Sequence, residues 1–218
     1  GRHPVTSVAD VPARSHLDER LFARTLEDVA MTQYPTIEEE FRNAKRIKGD
    51  IDEHLDYLYD LATQCSHIVE GGVRYVVSTW AFILGCSCRG GKVVSFCWNL
   101  LPEIERAQRI CLEAGVSWEF HDGDWLKQEI PETDLLLIDT NHENWQLTAE
   151  LHKHGPKARK WIVLHDTESF RDIGADGRRP GMWQAVVDFV AEGEWKVINH
   201  RKHQNGLTTL ARKRLCQV

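Results

Sequence analysis

Two short stretches of the sequence carry the residue types from which acid–base or metal chemistry is built. Asp139-Thr-Asn-His142 and His165-Asp166-Thr-Glu168 each close an apolar run, and each puts a carboxylate within three residues of an imidazole. Brought side by side, such groups hold a divalent cation or pass a proton between them. Taken singly, Asp139 and Asp166 read equally well as caps of the helices or turns that follow. A third stretch, Glu70-Gly71-Gly72-Val73-Arg74, ends another apolar run ahead of Ser78-Thr79. Glycines there let a ligand approach the backbone, and a helix opening at Ser78 offers free N–H donors. Asp166, Asp172 and Asp176 with Gly174 and Gly177 raise a calcium loop, but their spacing is not that of an EF-hand.

The elements that must position these groups are legible from periodicity. Residues 67–70, 92–97, 116–120, 134–139 and 160–165 are short, nearly continuous apolar runs, the pattern of strands covered on both faces. Helical segments alternate with them at 78–86, 102–114, 144–154 and 181–192, and Pro102 suits a first helical turn. Alternation of this kind means βαβ units, a parallel sheet and right-handed crossovers. Residues 195–199 and 206–211 are two strands joined by six residues, too few for a helical crossover, so they form an antiparallel hairpin. In a doubly wound sheet, ligands sit at the carboxyl ends of the strands, which is where Glu70, Asp139 and Asp166 fall.

Upstream, Thr36-Ile-Glu-Glu39 and Asp50-Ile-Asp-Glu53 both have the pattern of a capping box. The second would open a helix carrying Ile51, Leu55, Leu58, Tyr59 and Ala62 on one face. The segment before Tyr34-Pro35 is polar and reads as an arm with one short helix over 17–29. The expected organisation is therefore an N-terminal arm with helices over 1–66, packed on an α/β domain over 67–218, as one structural domain.

Composition narrows the partners. The 218 residues carry a formal charge of −6, which argues against nucleic acid, since phosphate binding needs a concentrated basic face. The basic cluster from Arg201 to Arg214 is interrupted by Leu207, Thr208, Thr209 and Leu210 and reads as a strand with charged ends. No apolar run approaches the ~20 residues of a membrane helix, and residues 1–14 have no stretch of signal-peptide type. The six cysteines match no zinc site, with Cys86 and Cys88 one residue short of a CxxC pair, and read as reduced thiols of a cytoplasmic protein. The sequence leaves open whether copies associate into a homo-oligomer.

Over residues 36–212 the chain resembles the class I S-adenosylmethionine-dependent methyltransferases, in a subgroup near the cephalosporin-hydroxylase and macrolide-sugar O-methyltransferase group. The resemblance rests on His67-Ile-Val-Glu-Gly-Gly-Val-Arg74 with Ser78-Thr79, Gly123-Asp124, and Leu137-Ile-Asp-Thr140 with His142. It extends to His165-Asp-Thr167 and Asn205-Gly-Leu-Thr208. It implies a Rossmann-like, mostly parallel seven-stranded sheet closed by an antiparallel hairpin, and S-adenosylmethionine as cofactor. Carried over position by position, Glu70, Gly72, Arg74 and Ser78 belong to the cofactor motif, Cys97 to the ribose position and Asp124 to the adenine. Asp139 and Asp166 would flank the methyl-transfer site, where relatives hold Mg²⁺, and His142 would be the base. His165 stands where some metal-binding relatives have a carboxylate.

Two departures bear on the cofactor. Where the family pattern has a further glycine after Gly72, this chain has Val76 and Val77 behind Tyr75. A β-branched residue resists φ > 0, so the expectation is a distorted bend with a side chain in the cofactor's way. The second strand ends Phe96-Cys97-Trp98-Asn99, with no carboxylate for the ribose hydroxyls. Losing those hydrogen bonds predicts cofactor binding weaker by roughly ten- to a hundred-fold. Two functions follow. One is methyl transfer to a small molecule, a sugar or natural-product intermediate, assisted by Asp139, His142 and Asp166. The other is a methyltransferase-like protein that binds a different ligand or catalyses another reaction.

Overall fold

The computed structural model describes residues 35–98 and 100–213. The short helix expected over 17–29 lies outside them, as does Asn99. Residues 35–213 belong to one compact unit.

Thr36 opens helix α1 (Ile37–Ala44) with a complete capping box: its hydroxyl accepts from the Glu39 N–H, and its own N–H donates to the Glu39 carboxylate. The second expected box does not form. Residues Asp52–His54 make a 3₁₀ turn before helix α2 (Leu55–Ala62), and no side chain caps either. The Glu53 N–H that Asp50 would have accepted donates instead to the Gln204 side-chain oxygen at 2.7 Å, while Asp52 accepts from Gly49 N–H at 3.0 Å and from the Gln204 amide at 2.7 Å. The predicted inward face survives, with Ile51, Leu55, Leu58 and Ala62 buried.

Seven strands follow: β1 (His67–Gly71), β2 (Lys92–Cys97), β3 (Ser117–Asp122), β4 (Thr133–Ile138), β5 (Ala158–His165), β6 (Trp195–Arg201) and β7 (Leu207–Arg212). Their order is β3-β2-β1-β4-β5-β7-β6. The first five are parallel, and β7 runs antiparallel to both β5 and β6. Strand order therefore reverses between β1 and β4, the position at which such sheets open a cleft.

Helix α3 (Val77–Ser87) joins β1 to β2, α4 (Pro102–Glu113) joins β2 to β3, and α5 (Asn144–His154) joins β4 to β5. Helix α6 (Met182–Ala191) leads into the hairpin. Helix α3 is apolar all round, burying Trp80, Phe82 and Ile83, because it packs against α1 and α2 as well as the sheet. Gly85 permits that layering, since a Cβ there would lie 2.6 Å from Ala62 Cβ. Leu147 and Leu151 of α5 join Met182, Ala185, Val186 and Phe189 of α6 in a core with Val69, Leu136, Ile138, Ile162 and Leu164. Each of these large side chains contributes ~1.5–3 kcal/mol by leaving water. No helix among the described residues is long and apolar enough to cross a membrane.

Candidate functional site

The cleft floor is built where β1 meets β4. Gly72 has φ +94°, and a Cβ there would sit 1.7 Å from the Asp139 carbonyl oxygen, so only glycine lets the two strand ends close. Asp139 N–H donates to Gly71 O at 2.8 Å, fixing the carboxylate just beyond β4.

Beneath this floor lies Glu70, fully buried. One oxygen takes the Ser78 hydroxyl in a very short hydrogen bond, and the other takes Thr79 at 2.7 Å and Ser95 at 2.9 Å. Burial pushes its pKa up to about 7, with the three hydroxyls pulling the other way. Glu70 thus ties β1, β2 and the first turn of α3 together from below, while Ser78 belongs to the cleft lining.

The bend before α3 is not distorted. Val76 adopts φ 62° and ψ 22°, the left-handed conformation that the family's glycine would supply. Its side chain is buried, and the cleft is lined instead by Arg74, Tyr75, Val77 and Ser78. The expectation of an obstructing valine fails because burial of its methyl groups holds a β-branched residue in a strained backbone state.

Asp139, His142 and Asp166 converge, with one ligand atom of each within 4.8 Å of the others. His142 Nε2 lies 2.7 Å from Asp166 Oδ2 and 3.5 Å from Asp139 Oδ1, and its ring stacks on Phe170 at 4.7 Å. His165, at the end of β5, points Nδ1 at the same carboxylates, 3.3 Å from Asp139 and 3.2 Å from Asp166. Its Nε2 donates to Asp50 O at 2.8 Å. Both ring nitrogens of His165 face acceptors, so the ring carries two protons. Burial opposes charge on both imidazoles, but the carboxylates prevail: His142 is pushed up to about 9 and His165 to about 11. Burial likewise works against the carboxylates, and the imidazoles hold both below the usual range. Asp166 is itself left-handed, with φ 60°, and its buried Oδ1 has no partner. Two carboxylate oxygens and an imidazole nitrogen are a donor set a divalent cation accepts, and the orphaned oxygen is a further ligand atom.

Above these groups is a chamber of about 630 Å³, walled by residues 47–51 on one side and by Arg74, Tyr75 and Ser78 on the other. A second chamber of about 210 Å³ adjoins it, walled by Val73, Phe96, Cys97, Trp98 and Trp125, with Thr140, Asn141 and Gln146. Gly72, Arg74, Asp139 and Thr140 line both. Of the residues singled out in the sequence, Gly72, Arg74, Ser78, Cys97, Asp139, His142 and Asp166 thus share one cleft. Asp124 lines neither chamber. Its carboxylate caps the 3₁₀ turn Trp125–Lys127, accepting from Leu126 N–H at 3.1 Å, and pairs with Lys127 at 3.1 Å.

Sequence reasoning missed the 47–51 wall and the polar residues of α5. The wall is held by Gln204 and His165, more than a hundred residues away, and left no local signal. Gln146 and Glu150 did leave one. They recur on the same inward stripe as Leu147, Leu151 and His154, where a polar side chain must find a buried partner.

The fold is that of the class I methyltransferases. No family model and no curated protein sequence matches the chain. Among solved structures it is similar to an O-methyltransferase from Bacillus cereus in complex with SAH, at 16% identity and TM-score 0.60, covering 88% of this chain and 97% of that one. The O-methyltransferase TomG from Streptomyces achromogenes, involved in tomaymycin synthesis and in complex with SAM, gives 16% identity and TM-score 0.59 over 89% and 97%. A putative O-methyltransferase from Klebsiella pneumoniae gives 16% and 0.58 over 90% and 99%.

Proposed function

We propose that this protein is an S-adenosylmethionine-dependent O-methyltransferase acting on a small molecule, a sugar or natural-product intermediate. The observation that carries this reading is the junction of the two chambers. The smaller, aromatic-walled space meets the larger at Gly72 and Asp139, so a ligand seated in the first reaches the Asp139, His142 and Asp166 cluster. The likeness to SAM- and SAH-bound O-methyltransferases supports the same reading.

When bound, the cofactor supplies an electrophilic methyl group on sulfur. The chain aligns the acceptor and takes its proton. Asp139 and Asp166 hold the imidazole of His142 from two sides, and the ring, once unprotonated, would take a hydroxyl proton from the acceptor. Arg74, on both chambers, is placed to pair with an anionic group of either ligand. A divalent cation of the Mg²⁺ class would be held by Asp139 and Asp166 with His142 as third donor, and would lower the pKa of an acceptor hydroxyl. His142 cannot serve as ligand and base at once, so dependence on added metal distinguishes the two roles.

Cys97 and Trp98, where a ribose-binding carboxylate would stand, favour a second reading in which another ligand occupies the cleft. Titration calorimetry with S-adenosylhomocysteine separates the two. The methyltransferase reading expects saturable binding at micromolar to submillimolar concentration, and the absence of any binding would overturn it.

A further inference from the structure

A chain of side-chain amides behind the smaller chamber ends in an acceptor whose direction is fixed from within the protein. It starts at Glu150 on α5, which is fully buried. Glu150 Oε1 accepts from the Thr140 hydroxyl at 2.5 Å and from the Gln146 side-chain amide at 2.9 Å. Oε2 has no partner. If the acid carries a proton, it sits on Oε2, so Oε1 remains an acceptor in either state. Gln146 must therefore turn its –NH₂ toward Glu150 and its carbonyl oxygen away. That carbonyl accepts from Asn141 Nδ2 at 3.1 Å. An Asn141 amide flipped about its axis would set oxygen against oxygen, so Nδ2 is committed inward. The other end, Asn141 Oδ1, has no hydrogen-bond partner among the described residues, and Asn141 lines the chamber beside Phe96, Trp98 and Trp125.

An outward carbonyl in an aromatic slot recognises a flat heterocycle that carries an N–H₂ group. Asp124, which the family resemblance places at the adenine, already has its carboxylate oxygens against Leu126 N–H and Lys127. We propose that Asn141 is the specificity-determining residue for the cofactor's base, accepting from the exocyclic amino group of a 6-aminopurine, with Gln146 and Glu150 as positioning residues. A 6-oxopurine would set its carbonyl oxygen against Asn141 Oδ1, an unpaired acceptor facing another. This rests on the cofactor reading above and adds which base is read and by which residue.

The test is titration calorimetry with two ligands that differ only at that position, S-adenosylhomocysteine and S-inosylhomocysteine. The wild-type protein is expected to bind the adenosyl ligand roughly 10- to 100-fold tighter. Asn141→Ala should bring the two affinities within about threefold. Gln146→Leu should also narrow the ratio, because the freed Asn141 amide can rotate and donate to an oxo group. Asn141→Asp, an acceptor in any rotamer, should keep the preference. Equal wild-type affinities, or a preference untouched by Asn141→Ala, would overturn the assignment of Asn141 and leave the cofactor reading standing. Failure of the wild-type protein to bind the adenosyl ligand would overturn both.

Discussion

His142 sits between two carboxylates that both want its proton, and this sets its working range. With its pKa pushed up to about 9, only about one ring in a hundred is unprotonated at pH 7. In chelator, methyl transfer that relies on His142 as base should rise about tenfold per pH unit and level off near pH 9. His142→Gln should flatten that profile and lower kcat by roughly 10²- to 10⁴-fold. A wild-type rate that is flat from pH 7 to 9 would exclude the imidazole as base. Cys97 offers a second test at this scale. It lines the smaller chamber at the end of β2 and lacks the charge a ribose calls for. Cys97→Asp should tighten S-adenosylhomocysteine binding by roughly tenfold, read by calorimetry, if the ribose lies against that strand end.

At the scale of elements, the turn from β1 into α3 separates backbone from side-chain effects. Val76 already follows the left-handed bend, and its side chain packs inward rather than into the cleft. Val76→Gly relieves a strained φ but removes buried methyl groups and loosens the unfolded chain. The loss of roughly 2 kcal/mol of burial exceeds the ~1 kcal/mol of relieved strain. The variant should melt a few degrees lower while its cofactor affinity changes less than about twofold. A large gain in affinity would show that the valine does crowd the ligand. The strands were readable from the sequence because a parallel sheet covered on both faces needs unbroken apolar runs, as in β4, where every residue is buried. The hairpin followed from a linker too short for a crossover. Asp50 and Glu53 misled because a capping box is a local pattern, whereas the Glu53 N–H answers to Gln204 from the far end of the chain. Val76 misled because propensity speaks of φ and is silent on what the side chain buries.

For the whole molecule, the buried titratable groups predict an alkaline-labile fold. Glu70 has a folded pKa of about 7 against 4.5, so the stability it confers is present at low pH and lost as pH rises through 7. His142, at about 9 against 6.5, confers stability below pH 6.5 that is lost through pH 9. Asp139 and Asp166, held low, lose theirs only on acidification below the usual carboxylate range. Below pH 6.5 the buried His54 and His154, each lowered to about 4, work against the Glu70 loss, so the melting temperature should fall by several degrees chiefly between pH 6.5 and 9, as scanning calorimetry would show. Glu70→Gln should flatten the limb between pH 5 and 7, where the acid costs on the order of 3 kcal/mol. An unchanged slope would mean that Glu70 does not titrate there. One feature of the floor reaches beyond any single measurement. Gly72 is pressed against the carbonyl of Asp139, so any side chain placed there displaces the turn after β1 and the strand end that carries Asp139 in one step. The two halves of the cleft cannot drift apart independently through this position. A substitution at Gly72 therefore costs both walls of the cleft together, and any new activity on this scaffold has to arise while that residue stays as it is.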